Sequence, residues 1–237
     1  EKIINTLEVT GTNALIKIYD RFSNGLEFIV TIKKNKTLTK KKFFNKEKLV
    51  SMIRSSKHEE REAAYRSLLQ VYKKNSGILS EIYLNRVIQW RDEFMNMRGF
   101  DSAISVRNMF NNIEDSTIQT LLDACKRNAS IFHSYFQEKA KFLGMRKLHR
   151  YHLYAPLLSN AAYQKKITYN QAKSLVLKTF KDFTPTFREF AQRLFLDKHL
   201  DYEIRKNKQS GAFCSTISPK ITPYVLLNFD GTRRDVS

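Results

Sequence analysis

Two histidine-containing segments of this 237-residue sequence have spacings that could bind a metal. His149 and His152 form a His-x-x-His pair, which can coordinate zinc when further ligands and a suitable helix accompany it. Pro156 follows closely and indicates an extended chain instead of a helix. His58 is followed by glutamate, but position 62 holds Glu where a metal-binding helix needs a second His. We therefore predict that neither segment binds a metal.

Residues 211–237 contain a series of short patterns that predict strands, a loop and a turn. Residues 212–217 interleave apolar with small polar side chains, which suits a half-buried strand. Two Pro residues then mark a loop, and residues 224–229 form a compact apolar run of strand length. Asp230-Gly231 is a turn signal. We expect two adjacent strands of one sheet here.

The rest of the sequence favours helices. Its 7 Gly and 4 Pro argue against an all-β architecture, and 42% hydrophobic residues can build a sizeable core. We predict a mainly α fold with a small antiparallel β element between about Leu15 and Lys42. Residues 26–32 alternate strictly and predict a strand, whereas the run at 15–22 fits either a strand or the end of a helix. Apolar periodicity predicts further helices at about 56–72, 78–94, 115–127, 129–143, 168–180 and 184–195.

Charge and cysteine content limit the classes of partner and compartment. The net charge of +19 suggests a polyanionic partner, yet Lys and Arg are spread through most helical segments, with one cluster at 33–48. Neither zinc-finger spacing nor an aromatic RNA-binding strand is present. Cys125 and Cys214 are far apart in sequence, which favours free thiols of a cytoplasmic protein. No stretch is apolar and long enough to span a membrane, and no secretory signal is visible, although the chain starts at Glu1.

Several short motifs occur in an order that resembles a known family. They are Phe-Asp-Ser-Ala-Ile-Ser-Val-Arg-Asn at 100–108, Arg-Tyr-His-Leu-Tyr-Ala-Pro-Leu at 150–157, His-Leu-Asp at 199–201, Gly-Ala-Phe-Cys at 211–214, and Gly-Thr-Arg-Arg-Asp-Val at 231–236. From about residue 45 to the end, the sequence resembles oligoendopeptidase F, a zinc metallopeptidase of the thimet oligopeptidase group. One departure is His152, which stands where the family usually has Asp and therefore costs a possible salt bridge.

This resemblance implies a mechanism that the chain itself does not complete. In the family, the next helix carries His-Glu-x-x-His, whose histidines bind zinc and whose Glu is general base to the metal-bound water. That motif is absent from this sequence. The resemblance implies the N-terminal portion of a zincin-like oligoendopeptidase, with no catalytic residue of its own. Zinc is then the cofactor of the full-length protein, and the C-terminal catalytic half is the partner of this chain.

The same resemblance implies a domain boundary and a substrate-binding strand. We expect an N-terminal lobe with a β-hairpin at residues 1–66, and the beginning of the catalytic domain at 67–237. Zinc peptidases of this build hold short unstructured peptides beside an edge strand through main-chain hydrogen bonds. The candidate edge comprises Gly211, Ala212, Phe213 and Cys214, with an ordinary internal strand as the alternative.

The sequence allows two interpretations of one short segment and two functions for the whole chain. Arg107 and Asn108 either contact substrate or the opposite lobe, or they hold their helix against its neighbour. The alternative function for the whole chain is that of a basic helical nucleic-acid-binding protein. Steep salt dependence of its retention on a polyanion would support that alternative.

We predict that the 237-residue chain binds no zinc stoichiometrically and cleaves no peptide, because its histidines lack a complete ligand set. Metal analysis after dialysis against dilute zinc measures this. One tightly held zinc per chain would contradict the prediction and would indicate that His149 and His152 bind it.

Overall fold

The structure is a computed structural model that describes residues 2–34, 37–157, 166–232 and 235–236. Positions 35 and 36 of the expected β element, and Arg233 and Arg234 of the last motif, lie outside the described residues. The chain forms two compact units, one from residues 1–23 and 72–153 and the other from 24–71 and 154–237. The boundary at residues 66/67 stays a prediction.

Helices make up most of the described chain, as predicted. They are α1 (Lys2–Thr10), α2 (Thr12–Asn24), α3 (Lys46–Ile53), α4 (His58–Lys74), α5 (Ser76–Arg91), α6 (Ala103–Phe110), α7 (Asp115–Arg127), α8 (Ala129–Phe142), α9 (Tyr169–Phe183) and α10 (Pro185–Leu196). The strands are β1 (Phe28–Lys34), β2 (Thr37–Phe43), β3 (Leu200–Asp201), β4 (Phe213–Ser215) and β5 (Tyr224–Leu226). A π-helical turn at Asp92–Met97 continues α5, and a 3-10 turn covers Arg150–His152.

Local sequence explains where α9 and α10 begin. Thr168 and Gln171 form a reciprocal capping box at the start of α9. Thr184 accepts a hydrogen bond from the backbone N–H of Phe187 at 3.2 Å, and Pro185 occupies the first helical position of α10, where its missing N–H costs nothing. These caps satisfy N–H groups that have no partner within their own helix.

The predicted β element is a two-stranded antiparallel hairpin, but it begins later than expected. β1 pairs with β2 from Phe28↔Phe43 to Lys34↔Thr37, and the ambiguous run at 15–22 belongs to α2. Phe28 and Val30 are buried on one face, whereas Ile29 between them is largely exposed. The strict alternation of β1 therefore reflects one buried face and one exposed face.

Each unit has a small core of its own. Phe28, Val30 and Leu49 are completely or almost completely buried in the second unit, and burying each such side chain stabilises the fold by about 1.5–3 kcal/mol. In the first unit, Phe94 lies in the π-helical turn. Its ring centroid is 5.3 Å from that of Trp90 and 6.0 Å from that of Phe110, in tilted and edge-to-face contacts.

Asn108 has a structural role in the first unit. Its side chain is buried and donates a hydrogen bond to the Asp115 carboxylate at 2.8 Å, which joins α6 to the start of α7. Arg107, the neighbouring residue, is exposed. For Asn108, the geometry thus favours the interpretation in which it holds one helix against the next.

The C-terminal sheet has three strands in the order β3-β5-β4. β3 runs parallel to β5, with Leu200 opposite Val225, and β4 runs antiparallel to β5, with Cys214 opposite Val225. The two predicted strands are thus adjacent members of one sheet, as expected, although each is shorter than its apolar run. The two residues of β3 are too few to produce a sequence pattern, so this strand was not expected.

A buried lysine holds this sheet to the loop that follows β3. The side chain of Lys208 is 1% exposed. Its ammonium group donates to the carbonyl oxygens of Asp201, Glu203 and Leu227 at 3.0, 2.8 and 2.8 Å, and to a carboxylate oxygen of Asp201 at 2.9 Å. Arg205 donates to both carboxylate oxygens of the same aspartate at 2.5 and 2.7 Å.

These contacts predict how stability changes in acid. The Arg205 guanidinium lowers the pKa of Asp201, burial raises it, and Lys208 lowers it further, so that its pKa is about 2 against an ordinary 3.8. Because the folded-state pKa is depressed, the carboxylate stabilises the fold above about pH 4, and this contribution is lost as the pH falls towards about 2. Above about pH 5, the free energy of unfolding of Asp201→Asn should therefore be lower than that of the wild type. This difference should shrink below about pH 4.

Urea unfolding across this pH range measures that difference. Asp182→Asn, at an exposed position on α9, is the matched control and should follow the wild type. A difference between the wild type and Asp201→Asn that stays constant down to the lowest pH would contradict the assignment.

His152 gives a second prediction about stability. This residue is fully buried, and its Nδ1 accepts a hydrogen bond from the backbone N–H of His149 at 2.9 Å. The imidazole thus supplies an acceptor, as a carboxylate at this position would. His152→Leu should lower the free energy of unfolding by about 1–3 kcal/mol, because the N–H loses its partner. His152→Asn, which offers an amide oxygen, should lose less stability. His133→Leu, at an exposed position of α8, controls for loss of a histidine.

Candidate functional site

The free side of β4 is the part of the C-terminal sheet that could receive another strand. β5 lies on one side of β4, and no strand in the described part of the chain pairs with its other side. Phe213, Cys214 and Ser215 are all exposed. We call this free side the β4 edge.

Hydrogen-bond alternation determines which residue of β4 faces the free side. The N–H groups of Val225 and Leu227 donate to the carbonyls of His199 and Asp201, so these two residues face β3. Leu226 therefore faces β4, where its register partner is Phe213. Phe213 and, two residues later, Ser215 direct their main-chain groups to β5, and Cys214 directs its N–H and C=O outwards.

The predicted substrate-binding residues form one continuous exposed segment, but they have different environments. Cys214 presents main-chain groups at the β4 edge, whereas Phe213 uses its own within the sheet. Gly211 lies before β4 at a φ of +85°, a conformation that favours glycine, and nothing lies within 4 Å of the position a Cβ would occupy. Ala212 connects Gly211 to the strand and is exposed.

Both backbone groups of Gly211 are already bound by side chains. Its N–H donates to Glu47 at 3.0 Å, and its carbonyl accepts from the side-chain amide of Asn228 at 2.9 Å. The same amide donates to the carbonyl of Gln209 at 3.0 Å. We call the three residues Glu47, Gly211 and Asn228 the Gly211 clamp.

The two faces of the C-terminal sheet differ in what covers them. Leu200, Leu227 and Phe229 line a 190 Å³ cavity together with α9 and α10 residues, so that face packs on the helices. On the opposite face, Phe213 and Tyr224 are each 46% exposed. Tyr224 stacks on His199 with ring centroids 3.9 Å apart.

An aspartate anchors the chain beyond β5. Asp230 lies in the predicted Asp-Gly turn and accepts hydrogen bonds from Lys48, Ser51 and Lys166 at 2.5, 2.6 and 3.0 Å. Burial raises the pKa of Asp230, but these three donors outweigh it and hold the pKa below its ordinary value. At neutral pH the ionised carboxylate therefore ties α3 to the end of the sheet.

Among the described residues, no group of three or more His, Cys, Asp or Glu side chains is arranged to hold a metal ion. The fully buried His152 uses its Nδ1 to accept the N–H of His149. The described helices also lack the length and apolar character of a membrane-spanning segment.

The residues that shape this site were not identified from the sequence. Glu47 and Lys208 are ordinary polar residues in segments with no recognisable motif, and Asn228 lies in a predicted apolar strand that gives no sign of its contacts. Glu47 is 164 positions from the glycine that it contacts. A pattern within a short window carries no information on such a contact.

Comparison with known proteins identifies relatives for most of the chain. Oligopeptidase PepF from Bacillus subtilis (strain 168) is 22% identical over 180 residues, which cover 76% of this chain and 26% of that protein. The plasmid-encoded oligoendopeptidase F of Lactococcus lactis subsp. cremoris is 25% identical over 186 residues, which cover 78% of this chain and 30% of that protein. The chain thus spans between a quarter and a third of the length of these relatives, whose names do not indicate nucleic-acid binding.

Solved structures share the fold. A protein described as an oligoendopeptidase F from Bacillus anthracis str. Ames superposes with a TM-score of 0.72 at 17% identity, covering 94% of this chain and 40% of that one. The structure of PZ peptidase A with an inhibitor gives a TM-score of 0.72 at 18% identity. The superposition covers 94% of this chain and 38% of that one. The predicted resemblance to oligoendopeptidase F and the predicted fold class are therefore confirmed. The model of peptidase family M3 matches residues 51–237, well over half of the sequence, and the chain belongs to that family.

Proposed function

We propose that this chain is the N-terminal portion of a zinc-dependent oligoendopeptidase that hydrolyses short unstructured peptides. The match of residues 51–237 to peptidase family M3 carries this proposal. Residues 1–66 would form the N-terminal lobe, and residues 67–237 would begin the catalytic domain. Since this sequence contains no His-Glu-x-x-His, the zinc ligands and the general base would come from the rest of the protein.

The role proposed for this chain is to bind the substrate main chain. An extended peptide lying beside β4 would exchange hydrogen bonds with the outward N–H and C=O of Cys214. The alternation along a strand extends this role to Ala212, two residues earlier, whereas Gly211 would set the path of the chain instead of contacting the peptide. Main-chain contacts of this kind bind peptides of many sequences. They need a free extended segment, which an unstructured peptide offers and the paired backbone of a folded protein does not.

A cytoplasmic location forms part of this proposal. Cys125 and Cys214 are exposed free thiols, which a reducing compartment would maintain. Peptides released by other proteases are the class of substrate that such a compartment would supply.

The proposal is tested with the complete gene product, loaded with zinc, on quenched fluorescent peptides and on a stably folded protein. Cleavage of the peptides but not of the folded protein is expected. Loss of the activity with a chelator and its return with zinc are also expected. Absence of peptide hydrolysis by the zinc-loaded protein would contradict the proposed function.

The strand role is tested by removing one backbone donor. Cys214→Pro deletes an N–H that the sheet does not use, so it should lower kcat/KM by about three- to tenfold, the equivalent of one main-chain hydrogen bond. Cys214→Ala keeps this N–H and should lose less. If the two variants lose activity equally, the side chain and not the backbone is what matters at this position.

A further inference from the structure

We propose that Glu47 and Asn228 are positioning residues that act through Gly211 to fix the register of β4. They determine that Cys214, and not Phe213, presents its main-chain groups at the β4 edge. This inference rests on the proposed function in one respect, namely that the β4 edge binds the substrate peptide.

The need for such residues follows from the shortness of β4. The strand has three residues, of which Phe213 and Ser215 face β5. A shift of one residue in the pairing would turn these two outwards and Cys214 inwards, because successive residues of a strand face opposite sides. Three residue pairs, in which every β4 side chain is exposed, specify the register weakly, so another part of the chain must hold it.

The Gly211 clamp holds the chain two residues before β4. Gly211 has its N–H bound by Glu47 and its C=O bound by Asn228. At a φ of +85°, this residue turns the chain into the strand. With both backbone groups bound and this turn fixed, a one-residue shift of β4 would break both hydrogen bonds at once.

Both clamping residues are themselves held, Glu47 through its backbone and Asn228 through its side-chain amide. The backbone N–H of Glu47 donates to Asn45 at 2.7 Å at the start of α3, and the side chain of Asn45 donates to the carbonyl of Arg205 at 3.1 Å. Asn228 follows β5 by two residues, and its amide also binds the carbonyl of Gln209. The clamp therefore fixes the position of β4 relative to α3 and relative to β5, the strand with which β4 pairs.

The chain offers variants that separate the hydrogen bonds from side-chain volume. Glu47→Ala removes the acceptor, whereas Glu47→Gln keeps an oxygen in the same place. Asn228→Asp is nearly isosteric but replaces the amide donor by a carboxylate facing two carbonyl oxygens. Glu189→Ala, on an exposed part of α10, is the control.

Hydrogen–deuterium exchange tests the clamp independently of activity. Backbone exchange across residues 212–216 should be faster in Glu47→Ala and Asn228→Asp than in the wild type, by about tenfold or more if the strand loses its register. It should be near the wild-type rate in Glu47→Gln and Glu189→Ala. Equal exchange in all variants that retain a native circular dichroism spectrum would overturn the clamp, whether or not the protein is a peptidase.

Steady-state kinetics of the complete zinc-loaded protein test the consequence for substrate. We expect KM for a short peptide to rise about three- to tenfold in Glu47→Ala and Asn228→Asp, with a smaller change in kcat and with rescue in Glu47→Gln. A fall in kcat with unchanged KM would show that the two residues do not position a binding strand. An inactive wild-type protein would instead contradict the proposed function, and the exchange measurement would still decide on the clamp.

Discussion

The C-terminal sheet depends on one buried ammonium group. Lys208 is almost wholly removed from water, and a charge in such a place must be fully hydrogen-bonded to be tolerated. It meets this requirement by drawing together the end of β3, the loop after it and the end of β5. The sheet has only two or three residues in each strand, so these contacts supply order that strand length does not.

The same strategy of polar anchoring recurs around β4 and after β5. Glu47 and Asn228 bind Gly211, and Asp230 gathers donors from α3 and from Lys166. The bonds of Glu47 and Asp230 are charge-assisted, and the Asn228 amide adds a neutral bond. Such directional contacts suit a segment that must be placed accurately while remaining exposed. An apolar anchor would stabilise such a segment as well but would not specify one orientation of its backbone.

Sequence patterns predicted the parts of this fold that depend on neighbouring residues. The helices α4, α5 and α7 to α10, the alternating strand β1 and the two C-terminal strands follow from periodicities within a short window, whereas α1 was not predicted. The run at 15–22 was ambiguous because Leu15, Ile16 and Tyr19 fit a helical face as well as a strand, and α2 is the outcome. The two residues of β3, and the contacts of Glu47, Lys208 and Asn228, depend on distant partners and leave no local trace.

The sequence motifs and the polar anchors therefore have different roles in one site. Gly-Ala-Phe-Cys is the segment where the proposed function places a peptide, and its order among the other motifs is what resembles the family. The segment itself does not determine which of its backbone groups face outwards. That choice is made by side chains from α3 and from the end of β5, which bind the glycine before the strand begins. An edge strand held in this way keeps its outward main-chain groups free, because no further strand on its free side is needed to fix its register.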